Sequence, residues 1–325
     1  MRAVYASSFD AENPLSGLVI GDRPEPEVPD GWTRVAVKAA SLNHHDLWTL
    51  RGVGITAEQL PMILGCDAAG IDETTGEEVV VHSVINAPGW SGDETLDPGR
   101  SLLSEKFQGS LAEYVAVPKH NVVPKPDDLS FAEAACLSTA WLTAYRMLFV
   151  NSELRPGQTV LVQSATGGVA TACISMARAA GLRVFATARS EAKMKTALEL
   201  GAHQAFESGA RLPERVDAVM ETIGEATWAH SVRALKPGGR IVISGATSGP
   251  NPPADLARIF FLQLQVVGST MGTKAELADM IAFLRATGLR PHIDRVLPLE
   301  SAGEGLSAMA SGDLVGKIVL EVGTH

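Results

Sequence analysis

Apolar positions in the second half of the chain switch between two periods. Thr159 to Gln163 is a short apolar run with β-branched residues, and Val169, Ala172, Cys173, Met176, Ala177 and Ala180 then recur at helical spacing. A second strand follows, ending near Ser190, so the stretch reads as strand, glycine turn, helix, strand. The same alternation predicts a helix over 191–200 stopped by Gly201, and a strand over 216–220. A helix over 226–235, ended by Pro237, Gly238 and Gly239, and strands over 240–244 and 266–269 complete it. Strands alternating with helices imply a parallel, doubly wound α/β sheet that binds its ligand at the carboxyl ends of the strands. Residues 1–125 instead show short alternating strands over 33–39, 78–84 and 112–117, broken by Pro, Gly and Asn, as in an antiparallel sheet or barrel. An amphipathic helix over 273–287 and a closing strand over 317–322 end the chain. The expected organisation is a dinucleotide-binding domain, 126–269, inserted into a split, mainly β domain, 1–125 with 270–325; the cleft between them is the default active site.

The glycine turn points to the cofactor. The pattern G-x-G-x-x-G/A appears as Ala165, Gly167 and Ala170, with the first glycine replaced by alanine, and Thr166, Gly168 and Val169 complete the turn. Residues without Cβ let backbone N–H groups approach a pyrophosphate, whose charge the helix N-terminus stabilises. An NAD site wants an acidic residue about 20 residues further on, to accept from the ribose hydroxyls. Here Ala188, Arg189 and Ser190 stand in that place, with Lys193 one turn on. Two cations and a hydroxyl suit a 2′-phosphate, so the pattern predicts NADP(H); Ser190 also reads as a helix N-cap.

Length and charge narrow the class. At 325 residues the chain exceeds one hydrophobic core, and its 46% hydrophobic and 20% charged content is that of an ordinary globular protein. A formal net charge of −10 with no evident Lys/Arg cluster argues against a nucleic-acid or anionic-membrane surface. The polar N-terminus and the absence of a spanning apolar stretch lead to the expectation of a soluble cytoplasmic protein. Cys66, Cys136 and Cys173 are odd in number and far apart, which suits reduced, buried thiols.

The blocks SLNHHDLW (41–48), PMILGCDAAG (61–70), GSLAEYVAVP (109–118), LSFAEAACLSTAWLTAYRML (129–148), LRPGQTVLVQSATGGVA (154–170), LKPGGRIVISGATSG (235–249) and GKIVLEV (316–322) fall in order along nearly the whole chain. Together they resemble the medium-chain dehydrogenase/reductase superfamily, and within it the zinc-free quinone oxidoreductase and enoyl reductase branch. The resemblance implies a GroES-like catalytic domain plus a Rossmann domain. It also implies Thr143, Thr222, Ile223, Gly245, Ala246, Thr247, Ser269, Thr270 and Lys317 as cofactor contacts. Zinc enzymes of that superfamily carry a Cys where this chain has Asn43, a His-Glu pair where it has Cys66 and Asp67, and a third Cys near Ala135. The cysteines of the structural zinc lobe are missing from 86–103. No metal is therefore expected, since a catalytic zinc needs three converging protein ligands.

Without a metal, the expected reaction is hydride transfer from NADPH to an electrophilic carbon of a quinone or an α,β-unsaturated carbonyl, a small-molecule substrate. Asn43, as donor to a developing oxyanion, Asp46, as its orienter or a ribose ligand, and His44, as a proton source, are the expected catalytic residues. Trp48, Cys66 and Trp90 are the expected substrate contacts. Rival readings are a zinc-dependent alcohol dehydrogenase with rearranged ligands, an acyl-CoA enoyl reductase, and a weakly catalytic NADPH-binding protein. The run Ile259 to Thr270 ends in a bare apolar edge strand, from which a homodimer is expected.

Overall fold

The computed structural model describes residues 1–323, which divide into two compact units. The first comprises 1–140, 271–282 and 293 onward; the second comprises 141–270 and 283–292.

The first unit is mainly β. Its seven-stranded sheet runs in the order Val122–Pro124, Glu78–Val81, Asp67–Asp72, Trp32–Ser41, Lys317–Glu321, Ile293–Pro298, with Tyr114–Pro118 paired to the long central strand. Pairing is antiparallel except between Ile293–Pro298 and Lys317–Glu321. Alternate residues of Trp32–Ser41 enter the core, where Val35 and Val37 pack with Val79, Val115, Leu306 and Ile318. The strand expected over 78–84 ends at Val81, and Val84–Ile85 pairs separately with Ser101–Leu102.

The second unit is the doubly wound α/β half. Its six parallel strands stand in the order Gln204–Glu207, Arg183–Ala188, Thr159–Val162, Val216–Glu221, Leu235–Ile243, Gln265–Gly268. Thr159–Val162 is buried along its whole length, as a central parallel strand covered on both faces must be. Helices Gly168–Ala179, Glu191–Glu199 and Glu225–Ala234 fill the connections. The helix expected over 226–235 stops at Ala234, and Leu235 already belongs to the next strand. Pro237–Gly239 do not end an element: the ladder pairs Val216 with Leu235 and Ala218 with Arg240, so these residues bulge out between two paired positions. The edge run begins as a short helix, Leu256–Phe261, with Phe260 and Phe261 72% and 78% exposed, and continues as the edge strand Gln265–Gly268.

Candidate active site

In the second unit the expected cofactor residues follow the carboxyl ends of five neighbouring parallel strands. Ala165 to Val169 follow Thr159–Val162, and Arg189, Ser190 and Lys193 follow Arg183–Ala188. Thr222 and Ile223 follow Val216–Glu221, Gly245 to Thr247 follow Leu235–Ile243, and Ser269 and Thr270 follow Gln265–Gly268. One rim of the sheet thus gathers residues spread over more than 100 positions of sequence.

The glycine turn leaves the open backbone that its expected role requires, but not for a conformational reason. Gly167 has φ −70°, open to any L residue, and a Cβ built there meets nothing within 4 Å. Its lack of a side chain leaves space rather than relieving strain, and the positive φ of the turn falls on Ser164 instead. Gly167 also caps helix Gly168–Ala179 without a side-chain hydrogen bond, so no local side chain takes the helix's first N–H groups. Ser190 is the N-cap the sequence indicated, its hydroxyl accepting from Lys193 N, and Arg189 is exposed at the end of its strand. Thr222 and Ile223 are stitched to the neighbouring loop through Thr247 N to Thr222 O (3.4 Å) and Ser248 N to Ile223 O (2.7 Å). Thr143 lies buried in its helix.

Glu221, fully buried at the end of its strand, was not legible as a site residue. Its carboxylate accepts from Ile223 N and Gly224 N and from the Thr227 and Ser231 hydroxyls, fixing the turn below the rim. Gln163 ties Thr187, His230 and Ser231 together beside it. A carboxylate that accepts this many bonds is satisfied without a cation.

In the first unit a buried polar knot forms where strands Trp32–Ser41, Asp67–Asp72 and Lys317–Glu321 meet. Lys317 Nζ donates to Leu42 O (2.6 Å), to Asn43 Oδ1 (2.6 Å) and, at 3.4 Å, to Asp67 Oδ2. Asn43 Nδ2 donates to Ser41 O (3.2 Å) and to Asp67 Oδ2 (2.8 Å), and Ser41 Oγ donates to Asp67 Oδ2 (2.7 Å). Two expectations change here. Asn43 has both amide hydrogens committed, so it has none for a substrate oxyanion. Lys317, nearly inaccessible, has all three donors committed within this unit, so it has none for a cofactor phosphate.

Asp46 is a positioning residue. Fully buried, it accepts from Asn43 N (2.8 Å) and Gly65 N (2.9 Å), and burial raises its carboxyl to about 6. It holds the backbone of Asn43 and has no open face for a ribose. Cys66 is fully buried and lines no open surface; its Sγ lies 3.3 Å from His45 Nδ1 and 3.3 Å from Leu103 O. Burial pushes the Cys66 thiol up, against the opposing pull of His45. His45 holds Glu105 Oε1 at 3.1 Å through Nε2. Burial opposes its charged form, but Cys66, Glu105 and Asp46 together keep its pKa well above the ordinary value. His44, its neighbour on the helix, is exposed, and its partly desolvated surroundings with the nearby Lys317 and Arg51 hold its pKa below the ordinary value. Trp48 is half-buried, and Trp90 is exposed with Nε1 donating to Asp93 O (3.1 Å).

These donors do not fit a zinc ion. An ammonium already occupies the space between Asn43 Oδ1 and Asp67 Oδ2, Cys66 is turned to His45, and Cys136 Sγ is turned to Ala132 O (3.3 Å). Among the described residues no three His, Cys, Asp or Glu side chains form a group that could hold a metal ion.

Comparison with known proteins agrees with the architecture. Residues 29–127 match the alcohol dehydrogenase GroES-like domain family and residues 168–286 the zinc-binding dehydrogenase family. A zinc-type alcohol dehydrogenase-like protein of Schizosaccharomyces pombe is 32% identical over 98% of this chain and 99% of its own. The quinone oxidoreductase of Homo sapiens is 28% identical over 98% of this chain and 97% of its own. A solved NAD-dependent alcohol dehydrogenase superposes with a TM-score of 0.91 at 35% identity, covering 99% of this chain and 100% of that one. The fold is therefore a GroES-like domain with a Rossmann domain, its function is oxidoreductase chemistry with a nicotinamide cofactor, and the chain belongs to the medium-chain dehydrogenase/reductase superfamily.

Proposed function

We propose that this oxidoreductase transfers hydride from NADPH to a quinone or an α,β-unsaturated carbonyl, without a metal. The observation that carries the reading is the Lys317 ammonium held against Asn43 and Asp67, since a second cation beside it is repelled and lacks free ligands. Without a Lewis acid to polarise an ordinary carbonyl, an acceptor that is already electrophilic is the readier substrate. NADPH supplies the hydride; the Rossmann rim, from Gly167 to Thr270, orients the cofactor, with Arg189, Ser190 and Lys193 at its 2′-phosphate. The open histidine, His44, is the proton source of this reading, and Trp48 and Trp90 flank the acceptor.

Oxidation of NADPH by 9,10-phenanthrenequinone and by a panel of enones, measured before and after prolonged chelation and dialysis, tests it. Turnover should persist unchanged. Stoichiometric zinc whose removal abolishes activity, or turnover only with alcohols and NADP⁺, would overturn it, and tight NADPH binding without turnover would favour a binding protein.

The same reading includes a homodimer joined edge to edge through Gln265–Gly268, because the strand leaves its outer hydrogen bonds open beside exposed Leu256, Phe260 and Phe261. Light scattering at micromolar concentration should give about twice the 34.2 kDa chain mass, and Val267→Arg should lower it toward the monomer. A monomeric unmodified protein refutes the dimer.

A further inference from the structure

The connection from the edge strand Gln204–Glu207 to Val216–Glu221 passes two intervening strands using only residues 208–215, with no helix. Parallel crossovers ordinarily take a dozen or more residues and a covering helix. Here Leu212 packs onto the core beneath, and the missing helix leaves a cavity of about 530 Å³. Its walls are this connection, the last turn of helix Glu225–Ala234, and Arg258.

The cavity is cationic. Arg211, Arg215, Arg233 and Arg258 all line it. Glu214, the acidic residue on the wall, is bonded away to the Arg183 guanidinium, and no carboxylate pairs with Arg211, Arg215 or Arg233 among the described residues. Arg258 is ion-paired to Asp255 Oδ2 through Nε at 3.4 Å, although that buried Nε makes no hydrogen bond. His230, also on the wall, spends its ring nitrogens on Gln163 Nε2 and on Ala210 O, so neither is left for a ligand. The surrounding unit carries 15 Lys and Arg against 9 Asp and Glu, although the whole chain is at −10. Guanidiniums lining one void, three of them without a carboxylate partner, offer charge-assisted donors that suit an anion.

We propose that this cavity is a second anion site, which binds a small polyanion bearing two or more phosphate or carboxylate groups. It is separate from the cofactor rim, since none of 165–169, 189–193, 222–223 or 245–247 lines it. It therefore does not depend on the cofactor or substrate assigned above.

Isothermal titration of the full chain with inorganic tripolyphosphate, and separately with citrate, each with and without excess NADPH, tests the site and distinguishes the two anion chemistries. Saturable binding of at least one polyanion, undisturbed by NADPH and weakening with added salt, is expected. The Arg211→Gln/Arg233→Gln/Arg258→Gln variant should bind at least tenfold more weakly with an unchanged melting temperature, while Lys195→Gln, an exposed cation outside the cavity, should bind as the unmodified protein does. If the triple variant melts early, Arg211→Glu on the exposed connection carries the same comparison. Absence of binding at millimolar polyanion, loss of binding in excess NADPH, or equal affinity in the arginine variants would overturn the proposal.

Discussion

Lys317→Met should destabilise the protein by about 3–5 kcal/mol, seen as a lower denaturation midpoint, because it leaves a buried carboxylate without its counter-charge. Asp67 is fully buried, its Oδ1 has no hydrogen-bond partner, and Oδ2 depends on Ser41, Asn43 and Lys317. Methionine keeps the length of the lysine stem, so the packing of the strand is preserved and the loss is electrostatic. Removing both charges, Lys317→Met with Asp67→Asn, should recover much of the loss, since a pair removed together leaves no uncompensated ion. A double variant as unstable as the single would mean that the stem, rather than the ion pair, holds the three strands together. A neutral Lys317→Met would remove the reason for excluding a metal from this place.

Arg189→Asp should weaken NADPH binding by about 1.5–3 kcal/mol, roughly 10- to 150-fold, while changing NADH affinity much less. The side chain is exposed at the carboxyl end of Arg183–Ala188, next to the Ser190 cap, and the cofactors differ only in the phosphate that a guanidinium there would hold. Fluorescence titration with both cofactors measures the ratio directly. Equal losses for the two, or tighter NADH binding by the unmodified protein, would reject the assignment. The similarity to an NAD-dependent alcohol dehydrogenase makes this comparison informative, since fold alone does not choose between the two cofactors.

What the sequence revealed was local. The run from Thr159 to Ser190 reads correctly because its periods, turn and cap are all set by neighbours within a few residues. The strand Gln204–Glu207, sequence QAFE, carries no apolar run, and only its pairing with Arg183–Ala188 makes it a strand. Pro237–Gly239 looked like a terminator because bulging within a ladder leaves no signature in composition. Site chemistry was harder still. Asn43 is a plausible donor until Lys317, 274 positions away, fixes its amide, and the cationic cavity joins arginines from 211 to 258 that are scattered along the chain. Residue type shows what a side chain can do; only the fold shows which of its hydrogen bonds are already used.

All three cysteines are sealed inside, and burial pushes the Cys136 thiol up to about 12 and those of Cys66 and Cys173 up as well. Quinones and enones are themselves arylating and alkylating agents, and their usual protein target is an accessible thiolate. This protein presents none at its surface, so a catalyst that handles such electrophiles repeatedly would be spared modification by its own substrates without any dedicated defence.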